Sequence, residues 1–173
     1  SPKFHSLTYA SMPFLLSPVW WGKLQKPSKA PLKERSHGDR VLFGYDSVEA
    51  LEEHFFKVIL KNGYVRADHL VEHTIDAGTY EQYVVYRNLV GAGRPPGSIY
   101  LAKNNNALLR YASLRALEPG MKAVFLFRSP LDHAHSLMKQ HERYVRMQHD
   151  DPFVKEYMDW LGHHEFGAGL KHF

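Results

Sequence analysis

Apolar and polar positions along this chain switch between two periods, most clearly between Ser98 and Met147. Ser98–Ala102 is a short apolar run, followed at once by Lys103 and three asparagines. Leu108, Tyr111 and Leu114 then recur at helical spacing until Glu118, Pro119 and Gly120 interrupt it. Lys122–Phe127 is a second apolar run and ends on Arg128. From Pro130 a second helical pattern places Leu131, Ala134, Met138, His141 and Val145 on one face. The predicted order is strand, helix, strand, helix. A helix crossing between strands implies a parallel pair with a right-handed connection. The expected fold class is α/β, a parallel β-sheet flanked by helices.

The same patterning extends outward. Val41–Tyr45 reads as a brief strand. Asp46-Ser47-Val48-Glu49 reads as a capping box opening a helix, whose stripe of Val48, Leu51, Phe55, Val58 and Ile59 runs to about Leu60. Asn62-Gly63 stops it. Thr79–Val90 reads as a helix capped by Thr79, with Gln82 three places on. Asp150 or Asp151, with Pro152, opens a last helix carrying Phe153, Tyr157 and Trp160 on one face, and Gly162 ends it. The opening reads as a buried segment, with a short helix entering at Ser6 and breaking near Pro13 and Pro18. Those prolines interrupt an uncharged stretch between Lys3 and Lys23, which argues against a membrane span or a signal peptide.

Composition narrows the function classes. A length of 173 residues suits a single domain, and 44% apolar content supports a substantial core. The net charge of +4 suits an anionic ligand but falls short of a dedicated nucleic-acid binder. Cysteine is absent, which agrees with a reducing cytoplasm.

Parallel sheets gather ligands beyond the carboxyl ends of their strands. Lys103 and Arg128 each stand just past such an end, and Ser136 lies about two turns into the following helix. An arginine fork suits phosphate better than a lysine point charge does. Gly22–Arg40 is a lysine- and arginine-rich loop, read as a solvated connection or as a lid over an anionic ligand. Within it His37, beside Asp39, is a candidate proton acceptor, because imidazole titrates near neutrality. Trp20 and Trp21 suit core packing or an acceptor pocket. His69 and His73 lie one helical turn apart but lack a further ligand, and no metal is expected. His163, His164 and Glu165 suit a loop at the domain edge, with a metal or acceptor contact as the alternative.

The stretch from Ser98 onward resembles the sulfotransferase family that uses 3'-phosphoadenosine-5'-phosphosulfate, PAPS. In that family an arginine closes a strand, a serine follows in the next helix, and together they hold the 3'-phosphate. Arg128 and Ser136 match that pair in type and spacing. The Lys-Asn-Asn-Asn-x-Leu-Leu-Arg run at Lys103–Arg110 is similar to a form common in bacterial members. The lysine there implies contact with the transferring sulfuryl group; Asn105 stands where cytosolic members carry a histidine base. The Ser-Leu-Thr-Tyr to Met-Pro-Phe opening, the Arg-x-His-Gly-Asp stretch around His37 and the Asp-Pro-Phe to His-His-Glu-Phe-Gly ending resemble bacterial members too.

The resemblance implies a P-loop NTPase-like sulfotransferase fold and sulfuryl transfer from PAPS to an acceptor hydroxyl, leaving PAP. Lys103 and His37 would be catalytic, and Arg128, Ser136 and Lys103 would bind the nucleotide. The acceptor would be a small-molecule, carbohydrate or lipid hydroxyl, with neither nucleic acid nor a membrane span involved. No Gly-x-x-x-x-Gly-Lys-[Ser/Thr] loop occurs, nor the family's later basic glycine segment. The expectation is therefore that 1–173 is one incomplete sulfotransferase domain. The alternatives are a non-catalytic nucleotide-binding relative, a P-loop kinase-like phosphotransferase and, more remotely, a basic nucleic-acid module.

Overall fold

The structure, a computed structural model, describes residues 3–26, 28, 30–34 and 40–173. It combines helices with a small parallel sheet, so its class is α/β. The chain forms two compact units, each built from two separated stretches. One comprises Ser1–Ile59 and Asp76–Ala107; the other comprises Leu60–Ile75 and Leu108–Phe173.

The first unit contains β1 (Phe4–His5), α1 (Pro18–Leu24), β2 (Lys33–Glu34), β3 (Leu42–Phe43), α2 (Glu53–Ile59), α3 (Ala77–Val90) and β4 (Ile99–Tyr100). β1 and β4 run parallel, with Phe4 opposite Ile99 and His5 opposite Tyr100. The ladder continues one step each way, through Ile99 N–H to Lys3 and Leu101 N–H to His5. His5 Nδ1 also meets Ser98 Oγ at 3.0 Å. Gly91 lets the histidine ring approach: a Cβ there would lie 2.7 Å from His5 Nε2. β2 and β3 form a separate antiparallel pair.

Aromatic packing fills this unit. Phe55 of α2 stacks on Tyr86 of α3 at 4.7 Å, and Phe56 tilts against Tyr83 at 5.0 Å. All four are buried, with Leu7, Leu15, Ala50 and Leu51. Burying a side chain of this size stabilises by about 1.5–3 kcal/mol.

The second unit contains α4 (Tyr111–Leu117), α5 (Pro130–Asp150) and α6 (Pro152–Leu161). Asp151 caps α6 by accepting from Phe153 N–H, Pro152 opens it, and Gly162 closes it in the left-handed conformation at φ 82°. Tyr64, Leu70 and Leu109 form a small core. Arg110, 1% exposed, donates through Nε to His73 Nε2 at 3.1 Å and lies over the Tyr64 ring. His73 stacks on that ring at 4.6 Å, and its Nδ1 meets the Val71 carbonyl. Those bonds make His73 a neutral imidazole with its proton on Nδ1.

Several expected elements differ. Lys122–Phe127 is not a strand; it is an irregular stretch with Val124 84% and Leu126 93% exposed. The parallel partner of β4 is therefore β1, not that run. Asp46–Glu49 caps no helix, because α2 begins at Glu53. α3 begins before Thr79: Asp76 caps it, accepting from Thr79 N–H at 2.7 Å. The opening forms β1, a 3-10 turn at Tyr9–Ser11 and α1, rather than a helix from Ser6. On α5 the buried residues are Tyr144 and Gln148, while Leu131 and Met138 face solvent. Tyr144 packs on Phe166, and Gln148 Nε2 donates to Met158 Sδ. No helix among the described residues is long and apolar enough to cross a membrane.

Candidate functional site

The best-defined polar constellation lies in the first unit, at the carboxyl end of β4. Lys103 follows that strand by three residues. Ser6 Oγ donates to the Leu101 carbonyl, fixing the chain as it leaves the strand. Lys103 Nζ donates to Glu49 Oε1 at 3.0 Å, with the ammonium half exposed and the carboxylate largely covered. Glu49 Oε1 also accepts from Ala50 N–H at 2.7 Å, and Oε2 accepts from the Tyr9 hydroxyl at 3.0 Å. Burial raises the Glu49 pKa, but the Ala50 N–H, Lys103 and Tyr9 outweigh it and hold the carboxyl below its ordinary range.

Three residues on, Glu52 is 4% exposed and gathers three donors. Tyr83 and Tyr100 donate their hydroxyls to Oε2 at 2.7 and 2.8 Å, and Asn104 Nδ2 donates to Oε1 at 3.1 Å. Here burial prevails over those donors and pushes the carboxyl pKa up. Burial, with Glu52 close by, also pushes the Tyr100 hydroxyl up. Two carboxylates three residues apart thus sit in opposite environments: Glu49 stays ionised, while Glu52 resists ionisation.

The expected site residues fall in different places. Lys103 belongs to the first unit; Arg128 and Ser136 belong to the second. Arg128 is exposed at the end of that irregular stretch, and Ser136 is half-buried on α5. His37 and its neighbour Asp39 lie outside the described residues. Trp21 donates its indole N–H to the Ala10 carbonyl, a packing role, while Trp20 is 57% exposed. His164 is buried, with Nδ1 against the Gly169 carbonyl, and His163 lies 3.5 Å from Glu165. No group of three or more metal-binding side chains occurs among the described residues.

Glu49 was legible only as a cap, and Glu52 as a member of this polar cluster not at all. The only hint was a run of carboxylates, Glu49-Ala50-Leu51-Glu52-Glu53, alternating with residues that proved to be core.

No protein-family model matches the chain, and neither does any curated protein or any solved structure.

Proposed function

We propose that this chain is a PAPS-dependent sulfotransferase, and that its finer fold is the P-loop NTPase-like sulfotransferase fold. The carrying observation is Lys103, a cation held just beyond the carboxyl end of a parallel-paired strand, where such sheets receive anionic ligands. The family resemblance of the surrounding residues supports the choice of nucleotide. In this reading the acceptor oxygen attacks sulfur as the bond from sulfur to the bridging phosphate oxygen breaks. Lys103 stabilises charge developing on that leaving oxygen. The family resemblance would give Arg128 and Ser136 the 3'-phosphate and His37 the proton of the acceptor hydroxyl. The products are a sulfate ester and PAP, and the reaction is a cytoplasmic one.

A second reading is a nucleotide-binding relative of the fold that binds PAP without turnover. A pair of variants separates the two. Arg128→Ala should weaken PAP binding sharply, because it removes a charge-assisted phosphate contact worth about 1.5–3 kcal/mol. His37→Ala should spare PAP binding and abolish sulfuryl transfer. Unchanged PAP affinity in the arginine variant would remove the nucleotide assignment. Normal binding with no transfer in the unaltered protein, across phenol, carbohydrate and lipid hydroxyls, would favour the non-catalytic relative.

A further inference from the structure

Lys103 sits on a flexible four-carbon stem, yet its ammonium is already tied. Glu49 holds it at 3.0 Å and is itself held by two other donors, the Ala50 N–H and the Tyr9 hydroxyl. The carboxylate therefore keeps its place whether or not the lysine is bound to it. An ammonium carries three N–H donors, so one bond to Glu49 leaves two for an anion. The adjacent residue is fastened in the same way: Asn104 donates to Glu52, whose other oxygen takes Tyr83 and Tyr100. Consecutive residues after β4 are thus clipped by carboxylates three positions apart in one short segment.

We propose that Glu49 is a positioning residue for Lys103, aiming its ammonium at the 5' end of the nucleotide, while Glu52 anchors the turn through Asn104. A lysine loses up to about 2 kcal/mol of rotamer freedom on immobilisation. Glu49 meets that cost before any ligand arrives. The alternative, a carboxylate that merely occupies the lysine until an anion displaces it, fits less well, because Glu49 has two further donors and no need to leave. This inference rests on the nucleotide reading above.

The test is a titration of PAP and of adenosine 3'-monophosphate, which lacks the 5'-phosphate, into the intact chain and its variants. Lys103→Ala and Glu49→Ala should each lower PAP affinity about tenfold and leave the monophosphate within about twofold. The double variant should lose no more than either single one, since the two residues act as a unit. Glu49→Gln, which keeps an acceptor oxygen for the ammonium, should recover most of the loss. Should Glu49→Ala fail to fold, Glu49→Asp carries the same comparison, with melting temperature as the control. A preserved preference for PAP in the Glu49 variants, a gain in PAP affinity, or additive losses in the double variant would overturn the positioning role. Failure of the unaltered chain to bind PAP at millimolar concentration would remove the nucleotide reading itself, before any variant is made.

Discussion

Ser98–Ala102 and Lys122–Phe127 are close in composition and differ in what surrounds them. Both are short, apolar and followed by a cation. The first contains β4, paired with β1, with the half-buried Tyr100 donating to Glu52 and Leu101 bonded on both sides of its backbone. The second makes no backbone ladder among the described residues. Its Phe125 touches Tyr111, while Phe127 is 92% exposed. Strand propensity is a fit to a half-covered pleated surface rather than a property of the isolated segment. A run apolar on both faces, as Lys122–Phe127 is, needs neighbours on both edges and both faces. The lesson carries over to the cations. Lys103 has a defined partner, Glu49, because its strand end is built; Arg128 is an exposed side chain at the end of an irregular stretch.

The contrast can be broken most forcefully at Glu52. Replacing it with alanine takes the shared acceptor from Tyr83, Tyr100 and Asn104. It should cost about 3 kcal/mol, because buried donors lose their partner and a cavity remains. Urea unfolding measures this directly, and a loss below about 1 kcal/mol would mean the network is not what secures β4.

A pH series comes next. The Glu52 pKa is raised by burial, so the folded chain binds a proton that the unfolded chain releases above the ordinary value of 4.5. Stability contributed by that group must then fall as pH rises from 4.5 through the raised value. Glu49 has the opposite sign: its lowered pKa gives stability that is present above 4.5 and lost as pH falls. Glu52→Gln should abolish the first slope and keep the second, as read from urea midpoints across pH. An unchanged profile would show that Glu52 titrates normally.

Lys103→Ala should have a smaller effect on stability, under about 1 kcal/mol, since the pair is partly open to solvent and such pairs contribute little. Smallest of all, Phe127→Ser should change stability by less than about 0.5 kcal/mol, because the ring has little to lose on folding. Hydrogen exchange sharpens the same point. The Ile99 and Leu101 amides should be protected, while those of Val124 to Phe127 should exchange nearly as fast as in an unfolded chain.

What could be read from residues alone was local. The cap at Asp151, the proline at the head of α6 and the glycine after it are short-range chemistry, and they were legible. The position of Lys103 just past a strand was legible for the same reason. The partner of that strand was not, because Phe4–His5 lies at the other end of the first unit's sequence and no local pattern announces it. The stripe of Leu131, Met138 and Val145 has the right spacing for a buried face. Tyr144 and Gln148 prevail because Phe166 and Met158 meet them. Asp46 and Glu49 have the spacing of a capping box, yet Glu49 turns to Tyr9 and Lys103 instead. A buried carboxylate is recognised by its donors, and those come from distant stretches of chain.

The proposed ligand is a doubly phosphorylated adenosine. The most direct measurement is the melting temperature of the unaltered chain with PAP against the same concentration of AMP. Specific binding to the folded state raises the midpoint by linkage. The melting temperature should rise with PAP, growing with its concentration, and little or not at all with AMP. Equal shifts with both, or no shift with either at millimolar concentration, would contradict that assignment.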